Sequence, residues 1–191
     1  MHKFFWILAA SLVFFTSCHP SRPRARTDRK LRTIFRADPQ TLDARKSSDL
    51  LSASLHFLIY AGLMEIQSDG TLKCSLAQSY SLSKDLKTYT FYLKENLHWS
   101  NGEKLTAGDF ERSFKEALTP AYFSASSTLF YPIKNAKKAA LGQISTNRIG
   151  VKALNERILQ IKLERPTPHF LYLTAFSTYF PMPKTSNVKT A

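Results

Sequence analysis

The sequence predicts an α/β fold of mixed sheets with packed helices, and three stretches carry that prediction. In residues 88–94, Tyr89, Phe91 and Leu93 alternate with Thr88, Thr90, Tyr92 and Lys94. A period of two built from β-branched and aromatic residues marks a half-buried strand. Phe110, Phe114 and Leu118 then recur at helical spacing and end at Pro120, with Thr106 and Asp109 placed as a capping box that uses Asp instead of Glu or Gln. Residues 151–153 and 158–163 alternate on either side of Asn155-Glu156-Arg157, with Leu159, Ile161 and Leu163 on one face, which predicts a β-hairpin. At 191 residues and 43% hydrophobic, the chain is long enough to bury a real core.

Taken in order, residues 1–17 read as a targeting segment. Lys3 precedes a twelve-residue apolar run over 4–15, too short for a membrane span, and Thr16-Ser17 set small residues before Cys18. That order resembles a bacterial lipobox, with Phe15 where leucine is usual, and implies that Cys18 is acylated and becomes the N-terminus. Two or three acyl chains, at roughly 0.8 kcal/mol per buried CH₂, anchor a protein stably where one does not. A plain secretory signal or an uncleaved anchor is the alternative. Residues 18–30 carry Pro20, Pro23, Arg22, Arg24, Arg26, Arg29 and Lys30 against Asp28 alone. With no aromatic residue for base stacking, this basic stretch reads as a solvated flexible tether, not as a nucleic-acid arm. It contributes to a formal net charge of +13.

Residues 30–36 predict a first strand carrying Leu31, Ile34 and Phe35, followed by a turn at Asp38-Pro39, because the residue before proline is pushed out of the helical region. Residues 50–64 predict a helix with Leu51, Leu55, Leu58, Ile59 and Leu63 on one face. A strand at 80–82 leads to the strand at 89–93, which Glu95-Asn96 breaks. Leu97 and Trp99 follow, and Ser100-Asn101-Gly102 is a turn because Asn and Gly tolerate positive φ. Residues 121–131 are aromatic and serine-rich, 133–141 read as helical, and Pro166-Thr167-Pro168 opens a short apolar helix over 169–176. Residues 185–191 have no apolar pattern and read as a frayed end.

Three linked motifs point to a family. Tyr89-Thr90-Phe91-Tyr92-Leu93-Lys94, Trp99-Ser100-Asn101-Gly102-Glu103 and Leu105-Thr106-Ala107-Gly108-Asp109-Phe110 together resemble the signature of the extracytoplasmic solute-binding proteins, family 5, of peptide and nickel ABC importers. Tyr60-Ala61-Gly62-Leu63, Leu76-Ala77-Gln78-Ser79-Tyr80 and Val151-Lys152-Ala153-Leu154 resemble further family segments, and Leu42-Asp43 resembles a Leu-Asp-Pro motif with Ala44 in the place of proline. The resemblance runs over residues 32–184.

It implies the N-terminal part of a periplasmic binding protein type II-like fold with an incomplete ligand lobe. Residues 31–65 would form the first part of lobe I, 66–165 an accessory α/β lobe, and 166–191 a return toward lobe I. It implies that Ala37, Asp38, Pro39 and Gln40 line the ligand, and that the signature residues are structural. Its partners would be peptides, together with a C-terminal lobe, and ABC permease subunits, with a lipid anchor in the membrane and no nucleic acid. The location would be the cell membrane, facing the periplasm or the exterior. The alternative is a truncated or vestigial surface lipoprotein without ligand binding of its own.

The chemistry of other classes is missing from the sequence. No Gly-rich phosphate loop, no Gly-x-Ser-x-Gly and no Cys-x-x-Cys appear, and the five histidines lack metal-ligand spacing. Asp109 and Glu111 fall on different helical faces and read as a cap and a solvent charge. The expectation is a protein that is not an enzyme and uses no cofactor or metal. Cys74, the second of two cysteines, is expected to be a free thiol.

Overall fold

The computed structural model describes residues 33–35, 37–122 and 124–184. Its centre is an antiparallel four-stranded sheet in the order β3-β4-β6-β5, formed by β3 (Ala77–Leu82), β4 (Thr88–Leu93), β5 (Val151–Ala153) and β6 (Ile158–Lys162). The strand with the strongest alternation, β4, lies inside the sheet, where both of its backbone edges are paired. Phe91 sits opposite Tyr80 on one side and Leu159 on the other. Tyr89, Phe91 and Leu93 point inward and are buried, while Tyr92 faces out. The predicted hairpin is β5–β6, closed by Leu154 N–H on the Ile158 carbonyl at 2.8 Å, and it places Leu159, Ile161 and Leu163 in the same core.

The second layer is a helix, Ala107–Ala117, packed on β5 and β6. Its N-cap is Thr106, and the Asp109 carboxylate accepts from the Thr106 N–H at 2.9 Å and from its hydroxyl at 3.1 Å. Phe110, Phe114 and Leu118 are fully buried. Phe114, Phe130 and Tyr179 form a ring cluster with centroids 4.6–5.3 Å apart, and the buried Tyr179 hydroxyl donates to the Leu129 carbonyl at 2.8 Å. A two-stranded hairpin, β1 (Met64–Ile66) with β2 (Leu72–Cys74), turns at Gly70, whose φ is +81°. Gly62 precedes it for a steric reason: a Cβ there would lie 2.6 Å from the Phe180 ring and 2.8 Å from the Thr174 carbonyl oxygen.

Helices are numbered in chain order: α1 is Leu50–Ile59, α2 the Ala107–Ala117 helix, α3 Ala136–Ala140 and α4 Phe170–Leu173. Several expectations are corrected. Residues 33–35 lie in no strand, because no described strand runs beside them to satisfy their amides. Leu31 lies outside the described residues. The helix predicted over 50–64 stops at Ile59, and Met64–Ile66 is a strand. Its predicted face is buried only in part: Leu51 and Leu55 are half-buried and Leu58 and Ile59 exposed, while the fully buried side chains of the helix are Ser52 and His56. The strand expected at 80–82 begins at Ala77. Residues 121–131 fold largely as two 3₁₀ turns, Pro120–Tyr122 and Ala125–Phe130. The turn at 100–102 uses Gly102 at φ +87°, whereas the described asparagines with positive φ are Asn96 and Asn135. Cys74 is half-buried and free.

Candidate functional site

The residues expected to line ligand sit just upstream of α1. Ala37, Asp38 and Gln40 are exposed and Pro39 is half-buried, on irregular backbone with bends at Ala37 and Gln40. No strand holds them. The next segment, residues 41–49, is tied down by buried charge.

Asp43 and Arg45 are both buried. The Arg45 guanidinium grips Asp43 with two donors, Nε to Oδ1 and Nη2 to Oδ2, each at 3.0 Å, and its backbone N–H donates to Oδ1 at 3.1 Å. Nη1 reaches across 71 positions of sequence to donate to Glu116 Oε2 on α2 at 2.6 Å. The guanidinium also lies 4.7 Å from the Tyr122 ring centroid, with Lys46 Nζ 4.4 Å from the same ring. Burial works against the charge of Arg45, but the bonds to Asp43 and Glu116 outweigh it and hold its pKa above the usual value.

Glu116 is shared. Arg112, one turn earlier on α2, donates to it at 3.2 Å, to Asp109 Oδ1 at 3.3 Å, and to the Met182 carbonyl. Ser113 Oγ accepts the Met182 N–H at 2.8 Å. One seam of charge therefore joins residues 43–45, α2 and Met182. Beside it, Ala44, Phe180 and Met182 form a small apolar cluster with Tyr60. Each of these charges has a protein partner, so the seam acts as a clamp that ties residues 43–45, just downstream of 37–40, to α2 and Met182.

Tyr89, Phe91, Leu93 and Phe110 are core; Trp99 is half-buried; Ser100, Asn101 and Gly102 are exposed on a turn; Thr106 and Asp109 cap α2. The fold brings two of the three motifs onto one loop. Leu93 N–H donates to the Arg157 carbonyl and Ala107 N–H to the Glu156 carbonyl, each at 2.8 Å. Glu111 departs from its reading as a solvent charge. It pairs with Lys115 at 2.5 Å and accepts the Ala153 N–H at 2.7 Å, which covers the free edge of β5.

Asp43, Arg45, Arg112 and Glu116 were not singled out as a group from sequence. The available signals were the charged Asp43 and Arg45 beside the Leu-Asp motif and the (i, i+4) spacing of Arg112 and Glu116. Cys18 lies outside the described residues. A groove of about 730 Å³ between Lys137, Lys138, Arg165 and Pro166 is not lined by residues 37–40. Among the described residues no group of three His, Cys, Asp or Glu could hold a metal, and no helix is long and apolar enough to cross a membrane.

Comparison with known proteins gives this arrangement a context. Residues 71–191 match the profile of the bacterial extracellular solute-binding proteins, family 5 Middle. The oligopeptide-binding protein of Bacillus subtilis is 38% identical over 148 residues, 78% of this chain and 27% of its own length. A probable deoxycholate-binding periplasmic protein of Escherichia coli is 30% identical over 184 residues, 93% of this chain and 34% of its length. The peptide-bound oligopeptide-binding protein of Listeria monocytogenes superposes with a TM-score of 0.75 at 30% identity, over 77% of this chain and 29% of that one. The chain thus spans about a third or less of the relatives it matches. The fold, the signature residues and the match over more than half of its length place this chain in family 5 of the bacterial extracellular solute-binding proteins.

Proposed function

We propose that this chain is the N-terminal portion of a peptide-binding lipoprotein of an ABC importer, supplying its accessory lobe and one wall of the ligand cleft. The observation that carries the reading is the likeness, at a TM-score of 0.75, to a protein solved with peptide bound. In this reading residues 37–40 offer exposed backbone to an extended peptide, and the Asp43–Arg45–Glu116 clamp keeps that backbone from moving when ligand arrives. Main-chain recognition suits a broad sequence preference. Closure of a second lobe over the peptide, driven by contacts made only in the closed state, completes capture before delivery to permease subunits. The role is binding and not catalysis, because the buried charges of the clamp are spent on one another. Export uses residues 1–17, and Cys18 carries the lipid that holds the protein at the membrane, with residues 18–30 as tether.

A single wall leaves much of a peptide in water and does not offset the entropy of ordering it. Calorimetry with mixed tri- to pentapeptides, on the chain lacking residues 1–18, is expected to show no binding near micromolar affinity. A chimera in which residues 33–184 replace the corresponding stretch of the Bacillus subtilis relative is expected to bind the same peptides. A folded chimera that binds none would refute the peptide reading. Tight binding by the chain alone would refute the need for a second wall.

A further inference from the structure

We infer that the groove between α3 and residues 164–169 seats the headgroup of an anionic phospholipid, so that this face of the chain lies against a membrane surface. The inference takes its setting from the lipid-anchor reading above, but its test does not depend on that reading. The groove, of about 730 Å³, has cations on both walls: Lys137 and Lys138 on α3, and Arg165 opposite. All three are exposed, and the ion pairs among the described residues are made by other cations. Glu164 is the one acid in the lining, and its Oε1 faces the Asn135 N–H at 3.4 Å. Residues 131–169 as a whole carry eight Lys and Arg against two Glu. Such a cluster suits a phosphate, with the ammonium groups as point charges and the guanidinium as a fork.

The backbone of both walls is fixed without a ligand. The Glu164 N–H donates to the Pro132 carbonyl at 2.9 Å, which joins one wall to the other. The Lys134 N–H donates to the Lys162 carbonyl at 2.9 Å, and the Gly150 N–H to the Lys134 carbonyl at 2.8 Å. A Cβ on Gly150 would lie 2.8 Å from that of Lys134, so only glycine lets the chain close here on the approach to α3. On the opposite wall the buried Thr167 donates its hydroxyl to the Arg165 carbonyl at 3.0 Å, with Pro166 and Pro168 on either side. Backbone held in this way spares a ligand the cost of ordering it.

Two observations choose a lipid over a soluble polyanion. First, each wall runs on into an exposed apolar side chain. Leu141 follows Lys137 by four positions and is 56% exposed; Tyr172 follows His169 of the groove lining by three and is 43% exposed. Cations beside exposed aliphatic and aromatic residues suit a bilayer interface, whereas a soluble polyanion leaves the apolar part unused. Second, residues 19–32 separate Cys18 from the first described residue, and fully extended they span about 50 Å at most. With Cys18 in the bilayer, a groove on so short a tether meets headgroups at high effective concentration. Each cation brought to an anionic leaflet then adds to the attraction.

The test is cosedimentation of the chain lacking residues 1–18, a cut outside the described residues, with two kinds of vesicle. One is phosphatidylcholine alone, and the other contains about one third phosphatidylglycerol. Binding is expected to the anionic vesicles only. Two triple substitutions of equal charge separate the groove from net charge. Lys137→Ser, Lys138→Ser and Arg165→Ser together should lower the partition coefficient roughly 30-fold or more. Lys73→Ser, Lys84→Ser and Lys152→Ser together, at exposed positions outside the groove, should lower it less than about fivefold, because charges beyond a Debye length from the surface are screened. Circular dichroism and the urea midpoint check that both variants are folded. Leu141→Ser and Tyr172→Ser should each weaken vesicle binding severalfold and leave any binding of polyphosphate unchanged. Equal losses from the two triples overturn the inference, as does a native chain that fails to bind the anionic vesicles. Polyphosphate binding that is lost in the groove triple, with vesicle binding indifferent to Leu141→Ser and Tyr172→Ser, also overturns it and assigns the groove to a soluble polyanion. The protein carries no lipid in this assay, so the result is separate from whether Cys18 is acylated.

Discussion

Breaking the clamp from one side should loosen residues 41–49 from α2, and Arg45→Met is the substitution to make. It keeps most of the side-chain stem and removes the guanidinium. Asp43 then stays buried with its carboxylate answered mainly by the backbone N–H of residue 45, at 3.1 Å in the native chain. Glu116 is affected less, because its side chain is 43% exposed and keeps Arg112 as a partner at 3.2 Å. Losing one member of a fully buried pair costs roughly 3–5 kcal/mol. With only the Asp43 end dry, the expected loss is about 3 kcal/mol. Asp43→Asn preserves volume and leaves Arg45 charged but still bonded to Glu116, for an expected loss of about 2 kcal/mol. The double substitution removes both buried charges, so its loss should fall short of the sum by about 1–2 kcal/mol. Urea unfolding gives the three values, with an unchanged m-value as the sign that the denatured state is not the cause. Added salt should leave the coupling largely intact, since the pair is shielded from solvent. Additivity within about 0.5 kcal/mol would show that Asp43 and Arg45 do not act as a unit, and the clamp argument would fall.

Three other outcomes are expected. Phe91→Ala and Phe114→Ala each empty a fully buried site and should cost about 3–5 kcal/mol in urea unfolding, whereas under about 1 kcal/mol at both positions would mean the inward faces are wrong. Burial lowers the pKa of His56 below its ordinary 6.5, although its bond to Thr41 and the charges of Asp43 and Asp49 pull the other way. The unfolded chain therefore binds the proton more readily, and stability should be lost as pH falls below about 6.5. His56→Gln should flatten that slope between pH 7 and about 5, above the range in which carboxylates titrate; an unchanged slope would remove His56 from the account. Mass spectrometry of membrane-isolated protein should find Cys18 acylated at the N-terminus, and an unmodified Met1 there would sink the lipoprotein reading.

Local periodicity made the centre of this fold legible. The alternation of Tyr89, Phe91 and Leu93, the helical spacing of Phe110, Phe114 and Leu118, the Thr106–Asp109 cap and the 151–163 hairpin all depend on residues within a few positions of one another. A strand or helix with one strongly apolar side has a single way to face a core, so pattern and burial agree in each case. The family motifs were legible for a related reason, since each is a short contiguous run: one on β4, one on the turn at 99–103 and one at the start of α2. The sequence also located residues 37–40 as the candidate wall, but only through resemblance; no local pattern marks them. Their clamp was invisible, because Arg45 meets Glu116 across 71 residues and Met182 meets Ser113 across 69. Only the folded chain brings those groups within bonding distance. α1 shows the limit most clearly. Its helical character follows from sequence, but its orientation does not. Hydrophobicity predicts which side would be buried by any sufficient apolar partner, whereas the fully buried side chains in this structure are the polar ones, because Thr41 is there to bond both, its N–H to Ser52 Oγ and its carbonyl to His56 Nε2. Which face of a helix is inside depends on what else is present to cover it, and that is a property of the tertiary structure.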